Sequence, residues 1–215
     1  MKKHSPFTQD FEQLPDTLPV FPLTNAVVLP GGFLPLNIFE PRYLNMVQDA
    51  MESHHLIGMI QPRDDSAKPE LFAVGCAARI VRYLETDDGR LEILLAGLCR
   101  FTIEEELSTT RGYRLVKPDW SNFAIDYADV GEPTDIEKTQ FKTALRTYLE
   151  DIDMQADWKN LEKLTSEELI NSLAGVLPVN AADKQLLIEA DTLAHRLTAF
   201  TAILEDHNQV SGVRH

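Results

Sequence analysis

No Gly-Lys dipeptide occurs in the 215 residues, which excludes the usual phosphate loop, whose lysine must reach the β- and γ-phosphates. The nucleophile-elbow pattern G-x-S-x-G and the zinc-protease pattern H-E-x-x-H are missing too. Neither ATPase nor peptidase chemistry is therefore expected of this chain, and no catalytic residue is assigned. No stretch approaches the ~18 consecutive apolar residues of a membrane span. The opening MKKHSPFTQDFEQ has two lysines but no apolar run behind them, so a cytoplasmic protein with no membrane partner is expected.

Positive charge is scarce. Twenty Lys and Arg face 34 Asp and Glu, for a net charge of −14. Residues 1–120 hold 12 basic and 17 acidic side chains and residues 121–215 hold 8 and 17, so both parts repel a polyanion. Nucleic-acid affinity rests on clustered Lys and Arg neutralising phosphates, and the sequence has no basic stripe. Arg79, Arg82 and Arg100 form the one local basic cluster worth noting.

Cysteine is nearly absent as well. Cys76 and Cys99 lie on two arms of an expected hairpin whose turn signal is Asp88-Gly89. A two-residue turn would set Cys99 opposite Ala78 and diagonal to Cys76. Diagonal neighbours lie about 7–8 Å apart, against about 3.8 Å between the Cβ atoms of a disulfide, so two reduced thiols are expected. Two cysteines without matched histidines do not make a zinc site. Residues 151–162 carry Asp151, Asp153, Asp157 and Glu162 at calcium-loop spacing, but Ala156 replaces the turn glycine and Lys159 occupies a ligand position. No metal and no cofactor are expected. His54-His55 falls where a first helix should end, and there an imidazolium would suit the helix dipole.

What is present is a globular composition, 44% apolar and 25% charged. Apolar runs at Leu18–Leu23, Ala26–Leu29, Phe33–Phe39, Leu56–Ile60, Leu71–Leu84, Leu91–Ile103 and Tyr113–Val116, mostly separated by turn residues, predict a closed or nearly closed β-barrel over 18–120. Glu104-Glu105-Glu106 reads as a solvated strand end that discourages edge pairing. One helix interrupts the strands from Pro41 to about Ser53. It buries Tyr43, Leu44, Val47, Ala50 and Met51, leaves Asn45, Gln48, Asp49 and Glu52 to solvent, and could plug one end of the barrel.

Past Pro133 the period changes to 3.6 residues. Thr134 with Glu137, and Thr165 with Glu168, have capping-box spacing. Leu186, Ala190, Leu193, Leu197, Phe200 and Leu204 run through one long last helix, giving a three-helix bundle. The expected domains are an N-terminal extension (1–17), a β-barrel with one inserted helix (18–120) and a helical bundle (134–208).

The stretch LPLNIFEPRY (34–43) stands out. Leu34, Leu36 and Ile38 alternate as in a half-buried strand, and Pro41 then opens a helix. Pro35 has no N–H to give, which places this strand at an edge where another polypeptide could reach it. Phe33, Leu36, Phe39 and Tyr43 are the expected contacts, with Glu40 and Arg42 orienting a bound backbone or closing a local ion pair. The competing reading is that all six are core or turn residues.

LPVFPLTNAVVLPGGFLPLNIFEPRYLNMVQDAM (18–51) and LFAVGCAARIVRYLETDDGRLEILLAGLCRFTIEEE (71–106) resemble the amino-terminal substrate-binding domain of the ATP-dependent protease Lon, in its short free-standing bacterial form. LPVNAADKQLLIEADTLAHRLTAFTAILE (177–205) is similar to the helical part that follows. The resemblance implies an α+β fold, a PUA-like β pseudo-barrel followed by a small C-terminal helical bundle. It also implies a non-catalytic polypeptide-binding module, an adaptor or substrate-recognition factor whose partners are unfolded clients or one dedicated protein. RNA binding, common among PUA-like folds, is the alternative, with only the fold behind it.

Overall fold

The computed structural model describes residues 9–212, with side chains to residue 208, so the N-terminal extension before Gln9 falls outside the described residues. In chain order the strands and helices are β1 (Leu18–Pro22), β2 (Phe33–Ile38), α1 (Pro41–Met51), β3 (Leu56–Ile60), β4 (Val74–Glu85), β5 (Leu91–Leu107), β6 (Arg114–Asp119), α2 (Asp135–Asp151), α3 (Trp158–Leu161), α4 (Ser166–Val176), α5 (Ala181–Glu189) and α6 (Leu193–Gly212). A 3-10 segment, Ser121–Tyr127, joins the strands to the helices.

Five strands close a ring. β1 pairs in parallel with β3, β3 with β4, β4 with β5, β5 with β6, and β6 returns to β1. Leu18, Val20, Leu56, Ile60, Ala77, Cys99, Phe101 and Val116 fill its interior. The ring is small, and glycine makes room in it. A Cβ at Gly58 or Gly75 would come within 3.0 Å of the Phe101 ring. Glu104–Glu106 lie within the β5–β6 ladder and pair with Lys117 and Arg114, so that acidic run is not an unpaired end. Ala26–Leu29, expected as a strand, is a non-strand connection whose Val27, Val28 and Leu29 are nonetheless buried.

The β4–β5 hairpin departs from the expected register. Thr86 and Arg90 exchange hydrogen bonds around three residues ending at Gly89, whose φ is +80°. Two further register shifts follow, and Cys99 comes to face Ala77 while Cys76 faces Arg100. Neighbouring ladder positions point to opposite sides, so Cys99 enters the barrel interior and Cys76 the layer beneath the helices. Both thiols are free and buried, and burial pushes both thiol pKa values up.

The helices cover the outer side of this wall. Tyr43, Met46, Val47 and Ala50 of α1 share a cluster with Phe21, Ile57 and Met59, so α1 lies on the outside of β1 and β3 rather than plugging the ring. Thr134 and Thr165 make the expected capping boxes for α2 and α4. The expected last helix is two helices. Between α5 and α6 the chain breaks at 190–192, where Thr192 Oγ1 accepts the His195 N–H at 3.1 Å. Two buried arginines hold the break open. Arg100 donates to the carbonyls of Ile188, Ala190 and Asp191, and Arg196 to those of Leu187 and Ala190. Cationic donors suit the carbonyl end of a helix. Arg196 also donates to Asn171 Oδ1 at 2.9 Å, and Asn171 Nδ2 donates to Pro30 O at 2.8 Å, which ties α4 and α6 to the turn before β2. Burial, with Arg100 nearby, lowers the Arg196 pKa to about 10. No described helix is long and apolar enough to cross a membrane.

Candidate functional site

β2 is the outermost strand of the sheet, paired with β5 from Phe33↔Ala96 to Ile38↔Leu91. Its other side meets no strand among the described residues. Proline fits such a strand, because Pro35 leaves one N–H missing from a backbone that needs partners on one side only. Inward, Ile38 is buried and Leu34 and Leu36 are half-buried. Outward, Phe33 is 56% exposed, and Phe39, just past the strand, is 62% exposed. An exposed phenylalanine thus marks each end of β2, Phe39 at the corner with α1.

Glu40 is extended (φ −72°, ψ 132°) and Pro41 begins α1. The Glu40 carboxylate makes no cap. It instead takes Arg42 Nε at 2.9 Å and Nη2 at 2.8 Å. That guanidinium also lies 4.5 Å above the Tyr43 ring, and Tyr43 packs on Phe21 with centroids 4.0 Å apart. Tyr43 is only 6% exposed, and burial raises its phenol pKa. It supports the corner from below and is not an open contact, which corrects the expectation for this residue. Of the six candidates, the structure brings Phe33, Phe39, Glu40 and Arg42 to the surface, half-buries Leu36 and buries Tyr43.

A cleft of about 800 Å³ opens on the other flank of Arg42 and Tyr43. Its walls are the β3–β4 loop, with Asp64, Ser66 and Lys68, and the β5–β6 turn. Arg114 links these walls by donating to Pro69 O at 2.7 Å and to Glu106. Asp49 pins the turn to α1, accepting from Arg111 Nη2 at 2.8 Å and Tyr113 Oη at 2.7 Å. Asp49 is thus engaged and half-buried, not left to solvent as expected. The Arg111 hydrogen bond leads the causes that hold its carboxyl below the usual range. The Gly112 turn (φ +87°) and the β3–β4 loop that faces it are remote in sequence, so no local pattern joins them.

His54 is not a helix-capping cation either. Its Nδ1 accepts the Leu56 N–H at 3.1 Å, which requires that nitrogen to be unprotonated. Burial, then His55, lowers its pKa. The folded state therefore binds fewer protons than the unfolded chain below the free-histidine pKa of about 6.5. The stabilisation is complete above that pH and is lost as the pH falls through the lowered folded value. His54→Gln should flatten this part of the acid limb in denaturant melts between pH 7 and 5; an unchanged limb would refute the assignment.

Among the described residues no group of His, Cys, Asp and Glu is arranged to hold a metal ion. Comparison with known proteins gives a consistent result. Residues 17–206 match the family described as the ATP-dependent protease La (LON) substrate-binding domain. The Lon protease of Cytophaga hutchinsonii is 25% identical over 221 residues, 95% of this chain and 26% of that protein. The Lon protease of Parabacteroides distasonis is 35% identical over 107 residues, 48% of this chain and 13% of that protein. The chain thus spans 26% of one relative's length and 13% of the other's. A Lon N-terminal domain protein from Xanthomonas campestris has a similar fold, with a TM-score of 0.64 at 24% identity, covering 86% of this chain and 97% of that one. The N-terminal domain of Mycobacterium avium complex Lon protease gives 0.61 at 19%, covering 89% and 99%.

Proposed function

The chain belongs to the substrate-binding-domain family of the ATP-dependent protease Lon, and from that premise we propose that it is a non-catalytic polypeptide-binding module acting in the cytoplasm as an adaptor or substrate-recognition factor. The observation that carries the reading is β2, an outermost strand with an exposed phenylalanine at each end, Phe33 where it begins and Phe39 where it turns into α1. An extended client can pair its backbone with the free side of β2 while its apolar side chains meet Phe33 and Phe39. Backbone pairing tolerates varied sequences, which suits unfolded chains as well as one dedicated partner. In this reading Leu36 offers its half-buried edge, the Glu40–Arg42 pair borders the client, and Tyr43 holds the corner in shape. RNA binding has only the fold behind it, and the charge of −14 opposes it.

Phe33→Ala and Phe39→Ala test the proposal. Both side chains are exposed, so the thermal melt should stay put while affinity for a carboxymethylated, unfolded model protein falls about tenfold in the double variant, as for removal of interface aromatics. Unchanged affinity in a folded double variant would refute the site.

A further inference from the structure

Exposure alternates along β2 without a break. Phe33, Pro35 and Asn37 are exposed, Leu34 and Leu36 are half-buried and Ile38 is buried. Phe39, one step past the strand, keeps the order and is exposed again, with the Arg90 guanidinium 5.8 Å from its ring centroid. The two phenylalanines therefore stand on one side of the chain, roughly 20 Å apart at the rise of a strand. Between them Pro35 and Asn37 border a shallow groove of about 330 Å³ with Leu94, Arg82 and Glu92. One guanidinium and one carboxylate line that groove, so its middle selects neither sign of charge.

The backbone of β2 has a matching order. Gly97 N–H donates to Gly32 O at 2.9 Å, which sets the phase of the ladder with β5 just before β2 begins. Bonded and non-bonded pairs alternate along an antiparallel ladder, so Leu34, Leu36 and Ile38 turn their N–H and C=O groups to β5. Phe33, Pro35 and Asn37 turn theirs to the other side, where no described strand pairs with them. Pro35 fits this phase, since its missing N–H leaves the β5 ladder whole. The free side thus offers carbonyls at Phe33, Pro35 and Asn37 and N–H donors at Phe33 and Asn37.

We infer that β2 selects an extended polypeptide segment by the parity of its apolar residues: two apolar side chains an even number of positions apart, six for the full reach from Phe33 to Phe39, with the segment added as a strand on the free groups of Phe33, Pro35 and Asn37. Side chains alternate along a strand, so an even spacing puts both on the side of the phenylalanines and an odd spacing turns one of them away. Cross-strand apolar pairs then form at both ends. Backbone pairing fixes the phase of the segment, and the positions between its two apolar residues are left to polar types. This inference rests on the polypeptide-binding reading and adds the pattern of the segment preferred.

The test uses short fluorescent peptides of one composition, Ser, Thr and Gln with two Phe placed four, five, six or seven positions apart, titrated by anisotropy into the full chain. The spacing of six should bind about fivefold more tightly than five or seven, the size of one cross-strand aromatic pair. Phe39→Ala, at an exposed position, should level the series without moving the thermal melt. Backbone N-methylation, scanned along the six-spaced peptide, should weaken binding at every second residue, because alternate N–H groups face β2. Equal affinity across the spacings, a preference that survives Phe39→Ala, or an N-methyl scan without alternation overturns the inference. Best binding at four and seven overturns it too, by assigning the strand to a helical partner. In each case the polypeptide-binding reading stands if unfolded protein still binds and loses affinity in the Phe33→Ala/Phe39→Ala variant. Failure of every peptide while unfolded protein binds overturns the inference alone, and failure of both overturns the reading as well.

Discussion

Gly97→Ala is expected to destabilise the protein by about 3 kcal/mol or more, at the upper end of what overpacking costs. A Cβ added at Gly97 would stand 2.0 Å from Leu29 O and 2.6 Å from Leu29 C, and neither is the end of a flexible side chain. Gly97 cannot retreat cheaply. Its N–H donates to Gly32 O and its carbonyl accepts from Gly31 N–H, both at 2.9 Å, so strand and turn are fastened where they collide. For a chain of this size the melting temperature should drop by about 6 °C or more. The turn sits directly before β2, so the variant should also bind unfolded protein more weakly than Phe33→Ala does. Gly131→Ala is the control: its Cβ would meet nothing within 4 Å, and a neutral or slightly raised melt is expected. Equal melts for Gly97→Ala and Gly131→Ala would refute the close approach.

Arg100→Met should cost about 3–5 kcal/mol, the range for breaking a buried ion pair by removing one partner. Arg100 is 1% exposed, and its Nη2 donates to Asp126 Oδ1 at 2.8 Å while its backbone N–H donates to Asp126 Oδ2 at 2.9 Å. The same guanidinium reaches the carbonyls past α5, so its loss takes the cationic partner from the buried Asp126 carboxylate and one donor from each of these carbonyls. Arg100→Met/Asp126→Leu should recover part of the loss, because it also removes the stranded charge. Chemical denaturation of the single and double variants reads the coupling. Additive losses would mean that the two side chains do not act together.

Local signals were readable where one residue type has one dominant use. The two Thr/Glu capping boxes start helices as expected, and Pro35 with Pro41 marked an outermost strand running into a helix. Ala26–Leu29 misled because burial and strand formation both favour short apolar runs, and here Gly31, Gly32 and Gly97 bring the segment close without a ladder. The hairpin register failed since a single extra residue reverses every later side chain, and β4–β5 has two such shifts beyond its turn. Leu186 to Leu204 kept helical spacing across a real break, because one of the two arginines that hold it comes from a strand some ninety residues earlier. Exposure divides the six candidate positions in a way their alternation could not show, because Phe21, distant in sequence, covers Tyr43. Arg79 and Arg82 looked like a small basic patch with Arg100; the fold turned Arg100 inward to Asp126 and the other two outward.

Beside its ladder with β4, the seventeen residues of β5 pair with two further strands in succession, the first part with β2 and the last part with β6. Force applied to a chain paired along β2 would therefore enter β5 before reaching any other strand. Traction along the strand axis would load the β2–β5 bonds in shear, where they share the strain and must yield together. Traction across the axis would open them one at a time, from the free end inward. Arg100, further along the same strand, anchors β5 to the α5–α6 break, so the direction of pull would decide whether the corner peels away alone or the helices carry the load as well.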